Sequence, residues 1–382
     1  MELPYQKPLK GEKVGVVFGC FAPLHQGHLD LIMRAKKEND GGVIVICCGY
    51  DGDRGEPLMP HKRRYRYVRE FFNDDDLVAV YAINDTEQGL APYPNGWNGW
   101  MKEFERIFEV ATECRLEPQG HQGYSWIVRP KRHWYVGEKS YYEDLCGMDE
   151  EVTYVDRLAE NPICATMIRK NPIEHWNKIA TPFRRCFSHN ILICGTASEG
   201  KSTLTQDLGR YFNAPCSYEF AKKYIIDSCI SETELNAADF MAFLQGQYEL
   251  NKSLINSPAN NGVFFADTDA LVTRMYAEYY ALDGRFDMRM EDFELIAATA
   301  DRLTKESHWD KIFLLSPAGK FVDDHERYMG HSELEQRNEL FDILCENLKR
   351  CGLWDKVVML NGGEYYNNFL TICNYVKEVM AR

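Results

Sequence analysis

Residues 14–28 read VGVVFGCFAPLHQGH, and residues 190–202 read NILICGTASEGKS. Each stretch opens with an apolar, partly β-branched run that predicts a buried strand, and each run leads into a glycine-containing loop. Apolar residues at helical spacing follow the first loop, at residues 29, 32, 33 and 35. Two strand–loop–helix openings in one chain predict an α/β protein with two doubly wound parallel-sheet domains.

The remaining strand and boundary signals extend this prediction. Short apolar runs predict further strands at residues 43–48, 77–82, 134–136 and 152–155 in the first half, and at 263–266, 311–315 and 357–360 in the second. Residues 181–189 show neither the helical nor the strand period. We therefore predict a first domain over residues 1–180, a linker over 181–189 and a second domain over 190–382.

Composition narrows the class of protein. The 382 residues carry 44 Lys and Arg against 58 Asp and Glu, a net charge of -14, which argues against a broad nucleic-acid-binding surface. Thirteen cysteines are scattered without a CxxC pair, as expected of reduced thiols in the cytoplasm. No apolar run approaches the length of a membrane span, so we expect neither membrane insertion nor secretion.

The second half carries a phosphate-binding loop. The eight residues from Gly195 fit G-x-x-x-x-G-K-[ST] between a predicted strand and helix. Glycines let backbone N–H groups surround phosphates, Lys201 reaches the β and γ oxygens, and Ser202 offers its hydroxyl to Mg²⁺. The ATP-binding residues predicted here are Gly195, Ser198, Glu199, Gly200, Ser202 and Thr203.

This half is interpreted as a small-molecule kinase and not as a GTPase, because it contains no N-K-x-D motif, which GTPases use to recognise the base. Asp267 ends a predicted strand and is a candidate Mg²⁺ ligand, although strand ends often carry carboxylates. Glu219 is a candidate for the carboxylate beside the acceptor hydroxyl. Arg327 and Arg337 follow the strand at 311–315 and are candidates for a lid arginine; surface charges are the alternative.

In the first half, His25-x-x-His28 lies at a loop–helix junction. Metal binding lacks a third ligand at a recognised spacing, so an anion site is favoured, formed by two imidazoles and a helix N-terminus. The pattern resembles the signature G-x-F-x-P-x-H-x-G-H of the nucleotidylyltransferase superfamily, which the chain matches from Gly19 through Phe21 and Gly27 to His28. This resemblance implies a Rossmann-like domain that binds ATP.

A second superfamily motif, [I/V]-S-x-T-x-I-R, resembles residues 163–169, where Cys164 replaces the serine and Thr166, Ile168 and Arg169 are retained. When the nucleophile is a phosphate monoester, it is already ionised at neutral pH, so no general base is needed. Catalysis can then depend on positioning and on charge neutralisation by His25, His28, Arg169 and Mg²⁺.

The order of the two halves resembles the NadR family. The likeness also includes Y-P-N-G-W at residues 93–97, D-T-D at 267–269, and V-D-D at 322–324 with the downstream Arg327. An aromatic ring suits a flat, cationic nicotinamide, although a core tryptophan is the alternative for Trp97. The resemblance implies substrate contacts at Trp97, Glu138, Tyr141, Asp269, Phe321 and Asp323.

The family resemblance implies a bifunctional enzyme of NAD salvage. Its second domain would phosphorylate nicotinamide riboside to nicotinamide mononucleotide (NMN), its first would adenylylate NMN to NAD, and both would use ATP with Mg²⁺. Only about thirteen residues precede the first strand, so we expect no DNA-binding module.

Two alternatives remain open at this stage. Cys164 favours a kinase whose first domain is a weak or inactive adenylyltransferase acting as an NAD sensor. The phosphate motifs equally fit a fused enzyme for a flavin or a coenzyme-A precursor. The sequence also leaves open a homo-oligomeric state and the choice between nicotinamide and nicotinate forms.

Overall fold

The computed structural model describes residues 6–113, 129–156, 162–283, 288–317 and 333–381. The chain divides into two compact units, Met1–Cys186 and Phe187–Arg382. In the described residues each unit is built on a five-stranded sheet in which every strand pairing is parallel. The predicted α/β class with two parallel sheets is confirmed.

The first sheet has the strand order β3-β2-β1-β4-β5. Val16 of β1 pairs with Ile44 on one side and with Trp134 on the other, so the chain changes direction along the sheet between β1 and β4. Ligands of open α/β sheets bind at such a switch point. The strands are β1 (Lys13–Gly19), β2 (Val43–Gly49), β3 (Val78–Asn84), β4 (Lys131–Val136) and β5 (Glu151–Tyr154).

Helices follow these strands, because parallel strands need crossover connections. They are α1 (Gln26–Glu38), α2 (His61–Phe71), α3 (Asp85–Gln88), α4 (Trp97–Thr112), α5 (Lys139–Cys146), α6 (Ala165–Lys170) and α7 (Thr181–Arg184). The buried residues of α4 recur every three or four positions, which places Trp97, Trp100 and Phe104 on one face against the sheet.

The stretch predicted as a linker is structured. Thr181–Arg184 forms a short helix with proline in its first turn, and Phe183 is fully buried with its ring edge-on to Tyr67 of α2 at 5.4 Å. His189 already begins the next strand. Local patterning missed this turn because four residues are too few to show a helical period.

The second sheet has the strand order β10-β9-β6-β8-β7, with the phosphate-loop strand β6 at its centre. Sequence patterning located four of its strands; the two-residue β7 is too short to show an alternation. The strands are β6 (His189–Gly195), β7 (Cys216–Ser217), β8 (Val263–Ala266), β9 (Lys311–Ser316) and β10 (Val357–Asn361).

Seven helices of the described residues surround this sheet. They are α8 (Lys201–Phe212), α9 (Phe220–Ser228), α10 (Ala237–Ile255), α11 (Ala270–Asp283), α12 (Met290–Ser307), α13 (Leu334–Arg350) and α14 (Tyr365–Met380). Leu204 of α8 and Ile372 of α14 share one apolar core, whereas α10 to α13 contribute to a second core. Among the described helices none combines the length and apolar character needed to cross a bilayer.

Candidate active sites

The first candidate site lies at the switch point of the first sheet, in the loop from β1 to α1. Phe21 adopts φ of 47° and is buried, which turns the loop back toward the sheet edge. The Ala180 amide donates a hydrogen bond to the Leu24 carbonyl at 3.1 Å, and His25 forms a bridge with Ile179. The loop is therefore held in one conformation by a distant segment of the same unit.

This loop presents the two predicted histidines at the start of α1. His25 occupies the N-cap position, and the rings of His25 and His28 lie with centroids 3.9 Å apart. Phe21 meets the His28 ring edge-on at 5.1 Å. A Cβ on Gly27 would lie 3.4 Å from the His25 ring, which is ordinary contact, so Gly27 packs directly beside this ring. The imidazoles thus stand at the positive end of a helix, where phosphate binds readily.

Arg169 of α6 contacts the same loop at Ala22, which lies 147 residues earlier in the chain. Its guanidinium donates to the Ala22 carbonyl and, at 3.2 Å, to the Thr166 hydroxyl. Ile168 is fully buried and anchors the helix. The fold therefore brings together both motifs on which the adenylyltransferase prediction depends.

Arg54 is a charged residue of this site that sequence reasoning missed. Burial, followed by repulsion from nearby Arg54, lowers the pKa of Arg169 from its ordinary value. Two neighbouring guanidinium groups favour a ligand with several negative charges. Arg54 could not be predicted from the sequence, because it lies in a turn after β2 and belongs to no recognised motif.

Cys164 stands at the N-cap of α6, where the superfamily pattern has serine. Its backbone is extended, with φ of -134° and ψ of 157°, as an N-cap requires, yet its side chain makes no capping hydrogen bond. The conformation needed for a capping hydroxyl is present, and the thiol does not supply that contact.

The predicted nicotinamide contacts also come together. The rings of Trp97 and Tyr141 are parallel within 10° at 5.9 Å, and Tyr93 meets Tyr141 edge-on at 4.8 Å. Glu138 holds the N-cap position of α5, three residues before Tyr141. Trp97 is only 7% exposed, so most of its surface belongs to the core, which was the alternative for this residue.

The second candidate site follows β6 in the second unit. Gly195 and Gly200 have φ of 146° and 80°, and a Cβ on Gly195 would lie 2.6 Å from the Leu315 carbonyl. Ser198 also adopts a positive φ of 65°. Lys201 turns back over the loop, and its ammonium donates to the Thr196 carbonyl at 2.7 Å. The loop has the phosphate-surrounding form that the motif predicts.

Ser202 and Asp267 meet beside this loop. The Ser202 hydroxyl donates to the Asp267 carboxylate at 2.5 Å, although the two residues lie on α8 and just after β8. Hydroxyl and carboxylate oxygens are the ligands that Mg²⁺ prefers, so this pair fits the metal that the motif implies. Thr203 follows on α8 with an exposed side chain.

A cavity of about 450 Å³ opens next to the Ser202–Asp267 pair. Glu219, the predicted acceptor carboxylate, lines it together with Tyr218 and Lys222. Lys222 was not predicted, because a lysine on an amphipathic helix carries no specific signal. The cavity is therefore lined by the Ser202–Asp267 pair, by a further carboxylate and by a lysine.

Arg337 does not occupy the lid position predicted for it. It lies in α13, 3% exposed, and its guanidinium donates to Glu199 of the phosphate loop at 2.7 Å. The side chain of Glu199 is fully buried in this ion pair. A second cavity of about 240 Å³ is lined by Ser198, Glu199 and Gly200 of the phosphate loop, together with Tyr365 and Asn368.

The side chain of Asp269 is occupied within the protein. Its carboxylate accepts hydrogen bonds from the Trp309 indole at 2.9 Å and from the Leu271 amide at 3.0 Å. Burial raises the pKa of Asp269 to about 6. This geometry favours a structural role at the start of α11 over the predicted substrate contact. Phe321, Asp323 and Arg327 lie outside the described residues.

Comparison with known proteins agrees with both sites. A cytidylyltransferase-like family model matches residues 16–171, and an AAA domain model matches residues 190–365. The chain is therefore a nucleotidyltransferase joined to a P-loop kinase. The trifunctional NAD biosynthesis/regulator protein NadR of Salmonella typhimurium is 28% identical over 98% of this chain and 85% of its own length.

Two solved structures resemble the whole chain. The crystal structure of NadR protein in complex with NR is 33% identical, covers 98% of both chains and has a TM-score of 0.78. That of NadR protein in complex with NAD and AMP-PNP is 34% identical, covers 97% of both chains and has a TM-score of 0.75. The chain belongs to the NadR family.

Proposed function

We propose that this protein phosphorylates nicotinamide riboside to NMN in its second unit and adenylylates NMN to NAD in its first unit. The observation that carries the proposal is the presence of two complete phosphate sites in one chain, one with paired histidines and Arg169 and one with a P-loop. Relatives solved with NR, NAD and AMP-PNP support the choice of substrates.

In the second unit, the cavity beside Ser202 and Asp267 would hold the riboside with its 5′-hydroxyl near Glu219. Glu219 accepts the hydroxyl proton as the oxygen bonds to the γ-phosphorus of ATP and ADP leaves. Lys201 exchanges its contact with the Thr196 carbonyl for the phosphate oxygens. Mg²⁺, held by Ser202 and Asp267, would neutralise charge on the phosphates.

In the first unit, the 5′-phosphate of NMN is itself the nucleophile. It attacks the α-phosphorus of ATP, the bond to the β-phosphate oxygen breaks, and pyrophosphate leaves. His25 and His28 at the helix N-terminus, together with Arg169, stabilise the negative charge that moves onto pyrophosphate. No side chain has to remove a proton, which agrees with a site made of cations and amides.

A time course tests the whole sequence of reactions. Purified protein is mixed with Mg²⁺, ATP and nicotinamide riboside, and ADP, NMN and NAD are quantified by chromatography. We expect NMN first and NAD after it. If neither NMN nor NAD forms, the substrate assignment is wrong.

Two variants separate the sites. Lys201→Ala should abolish ADP formation from nicotinamide riboside and leave pyrophosphate release from NMN intact, because Lys201 belongs only to the P-loop. His28→Ala should do the reverse. Loss of both reactions in either folded variant would contradict two independent sites.

A second candidate function follows from Cys164. Its thiol makes no capping bond at the N-cap of α6, where the superfamily has a hydroxyl donor. The protein would then be a ribosylnicotinamide kinase whose first unit binds NAD as a sensor. Accumulation of NMN without NAD in the time course, together with tight NAD binding, would favour this candidate.

A further inference from the structure

Glu219, the candidate base of the second unit, lies between two elements that anchor it little. It follows the two-residue strand β7 and forms the N-cap of α9. None of the nine residues of α9, all of which the structure describes, is buried, and the Glu219 side chain makes no capping hydrogen bond to this helix. A helix held only by half-buried and exposed side chains needs further contacts to keep its first residue in one place.

One buried side chain of another helix supplies such contacts. Gln247 of α10 is 2% exposed, and its amide bonds the peptide groups on both sides of Glu219. Its Oε1 accepts from the Phe220 N–H at 2.8 Å, and its Nε2 donates to the Tyr218 carbonyl at 3.2 Å. The main chain before and after Glu219 is therefore held by a single amide.

The amide of Gln247 is itself held in one orientation. Its Nε2 also donates to Oδ1 of Asn251, one turn further along α10, at 3.0 Å, and Asn251 is 6% exposed. The three bonds use the oxygen and both N–H groups of the amide. Exchanging oxygen and nitrogen would set a donor against the Phe220 N–H and an acceptor against the Tyr218 carbonyl, so only one orientation satisfies these partners.

The packing of α9 against α10 supports this arrangement. A Cβ on Gly246 would lie 2.2 Å from the Phe220 ring, so this ring packs directly over the glycine. Four residues later, the Tyr224 hydroxyl donates to Oδ1 of Asp239 at 3.0 Å, and its ring meets Phe243 edge-on at 5.3 Å. Helix α10 therefore holds both the start and the middle of α9.

Gln247 affects the acceptor cavity through Glu219. In the part of the chain that the structure describes, Tyr218 and Glu219 line this cavity and Gln247 does not. A general base has to lie within hydrogen-bond distance of the hydroxyl whose proton it accepts. A misplacement of about 1 Å can cost about 100-fold in rate. A residue that sets the position of Glu219 therefore controls the rate of phosphoryl transfer without contacting the substrate.

We propose that Gln247, oriented by Asn251, is the positioning residue that holds Glu219 beside the acceptor hydroxyl. The inference rests on the proposed riboside kinase with Glu219 as its base, and it adds the residue that places this base. Because Gln247 bonds the main chain around Glu219 and not the P-loop, its loss reduces kcat and leaves the KM for ATP unchanged.

A double-variant cycle tests this inference. ADP formation with nicotinamide riboside is measured for the wild type, for Gln247→Met, for Glu219→Gln and for the variant that carries both changes. Methionine is an unbranched side chain whose thioether is only a weak acceptor. Gln245→Met is the matched control, because Gln245 is exposed on the same helix and bonds Glu249 at 3.2 Å. Thermal melting and adenylyl transfer by the first unit verify that each protein is folded.

Gln247→Met should lower kcat at least about tenfold and change the KM for ATP by less than about twofold. Glu219→Gln should lower kcat about 100-fold or more. Adding Gln247→Met to Glu219→Gln should change kcat by less than about twofold, because no base is left to position. A general disturbance of α9 would instead lower kcat by the same factor in both backgrounds. Gln245→Met should behave as the wild type.

Two results would overturn the inference and leave the riboside kinase intact. One is a kcat in folded Gln247→Met that is within about twofold of the Gln245→Met control. The other is an equal fall in kcat with and without Glu219→Gln. If Gln247→Met does not fold, Asn251→Ala takes its place, because it releases one N–H of the Gln247 amide and keeps both bonds to the main chain. Asn251→Ala should lower kcat several-fold, and an unchanged kcat would refute the inference.

The remaining outcomes concern the function on which the inference rests. A Glu219→Gln variant with the kcat of the wild type would show that Glu219 is not the base, and the role of Gln247 would be refuted with it while the kinase assignment stands. A wild type that forms no ADP from nicotinamide riboside would refute the proposed function of the second unit and this inference together.

Discussion

The ion pair between Arg337 and Glu199 connects helix α13 to the phosphate loop of the kinase unit. The guanidinium and carboxylate meet at 2.7 Å, with 4% and 0% of their side chains exposed. At such burial neither charge is solvated by water, and the ion pair brings the two opposite charges together. Replacing Arg337 by Met removes this cation from beside the buried Glu199 carboxylate.

The expected loss follows from this burial. Removing one partner of a buried ion pair costs about 3–5 kcal/mol. For a unit of this size such a loss lowers the melting temperature by about 6–20 °C. A second variant that also carries Glu199→Gln removes both charges of the pair and should be more stable than Arg337→Met alone, because the buried carboxylate charge is then removed together with its cation.

Thermal unfolding of the full chain and the two reactions measure the outcome. Arg337→Met should lower the melting temperature and raise the KM for ATP of the riboside kinase, since Glu199 lies within the phosphate loop. Adenylyl transfer by the first unit should be unchanged. Arg350→Met is the matched control, because Arg350 ends the same helix and its side chain is 42% exposed in a pair with Asp301.

The control should cost no more than about 1 kcal/mol, as exposed ion pairs do. A loss in Arg337→Met that is no larger than in the control would refute the reasoning. So would a double variant that is less stable than Arg337→Met, because removing both charges of a buried pair should not cost more than removing one of them.

Three further predictions concern single side chains. Cys164→Ser should raise pyrophosphate release from NMN several-fold and stabilise α6 by about 0.5–2 kcal/mol, because a hydroxyl at the N-cap bonds the first amides; unchanged rates and melting would contradict this. Asp267→Asn should lower ADP release with nicotinamide riboside by at least about 100-fold without affecting adenylyl transfer, and retained kinase activity would remove Asp267 from the metal site. Asp269, with its pKa raised to about 6, binds a proton more readily in the folded protein than in the unfolded chain. Its contribution to stability is therefore present below about pH 4 and is lost as the pH rises through 6. Asp269→Asn should flatten the dependence of melting temperature on pH between about 4 and 7, and an unchanged slope would contradict this.

The sequence predicted the strands near the two sites because their signals are local. Buried parallel strands such as β2 and β6 are continuous apolar runs, and the glycine-rich loops follow them directly in the chain. The P-loop and the histidine motif could be recognised for the same reason. Short elements with too few residues for a period, such as β7 and α7, could not be located from patterning.

The partners of individual side chains could not be predicted from the sequence. The sequence around Arg337 does not distinguish it from a lid arginine. Its ion pair with Glu199 of the phosphate loop is seen only in the tertiary structure. Asp269 lies two residues from Asp267, yet its carboxylate turns toward Trp309, forty residues away. Which of two similar charges faces a cavity depends on long-range packing, and a single sequence does not encode that in any short pattern.

The sequence by itself determined the class of fold, the presence of two phosphate sites and their order, because each is a property of contiguous residues. Only the tertiary structure decided that Arg169 meets the β1–α1 loop and that Arg54 stands beside it. These contacts join residues from separate strands and helices. They form only when the sheet brings the ends of its strands to one edge, which places distant residues within hydrogen-bond distance.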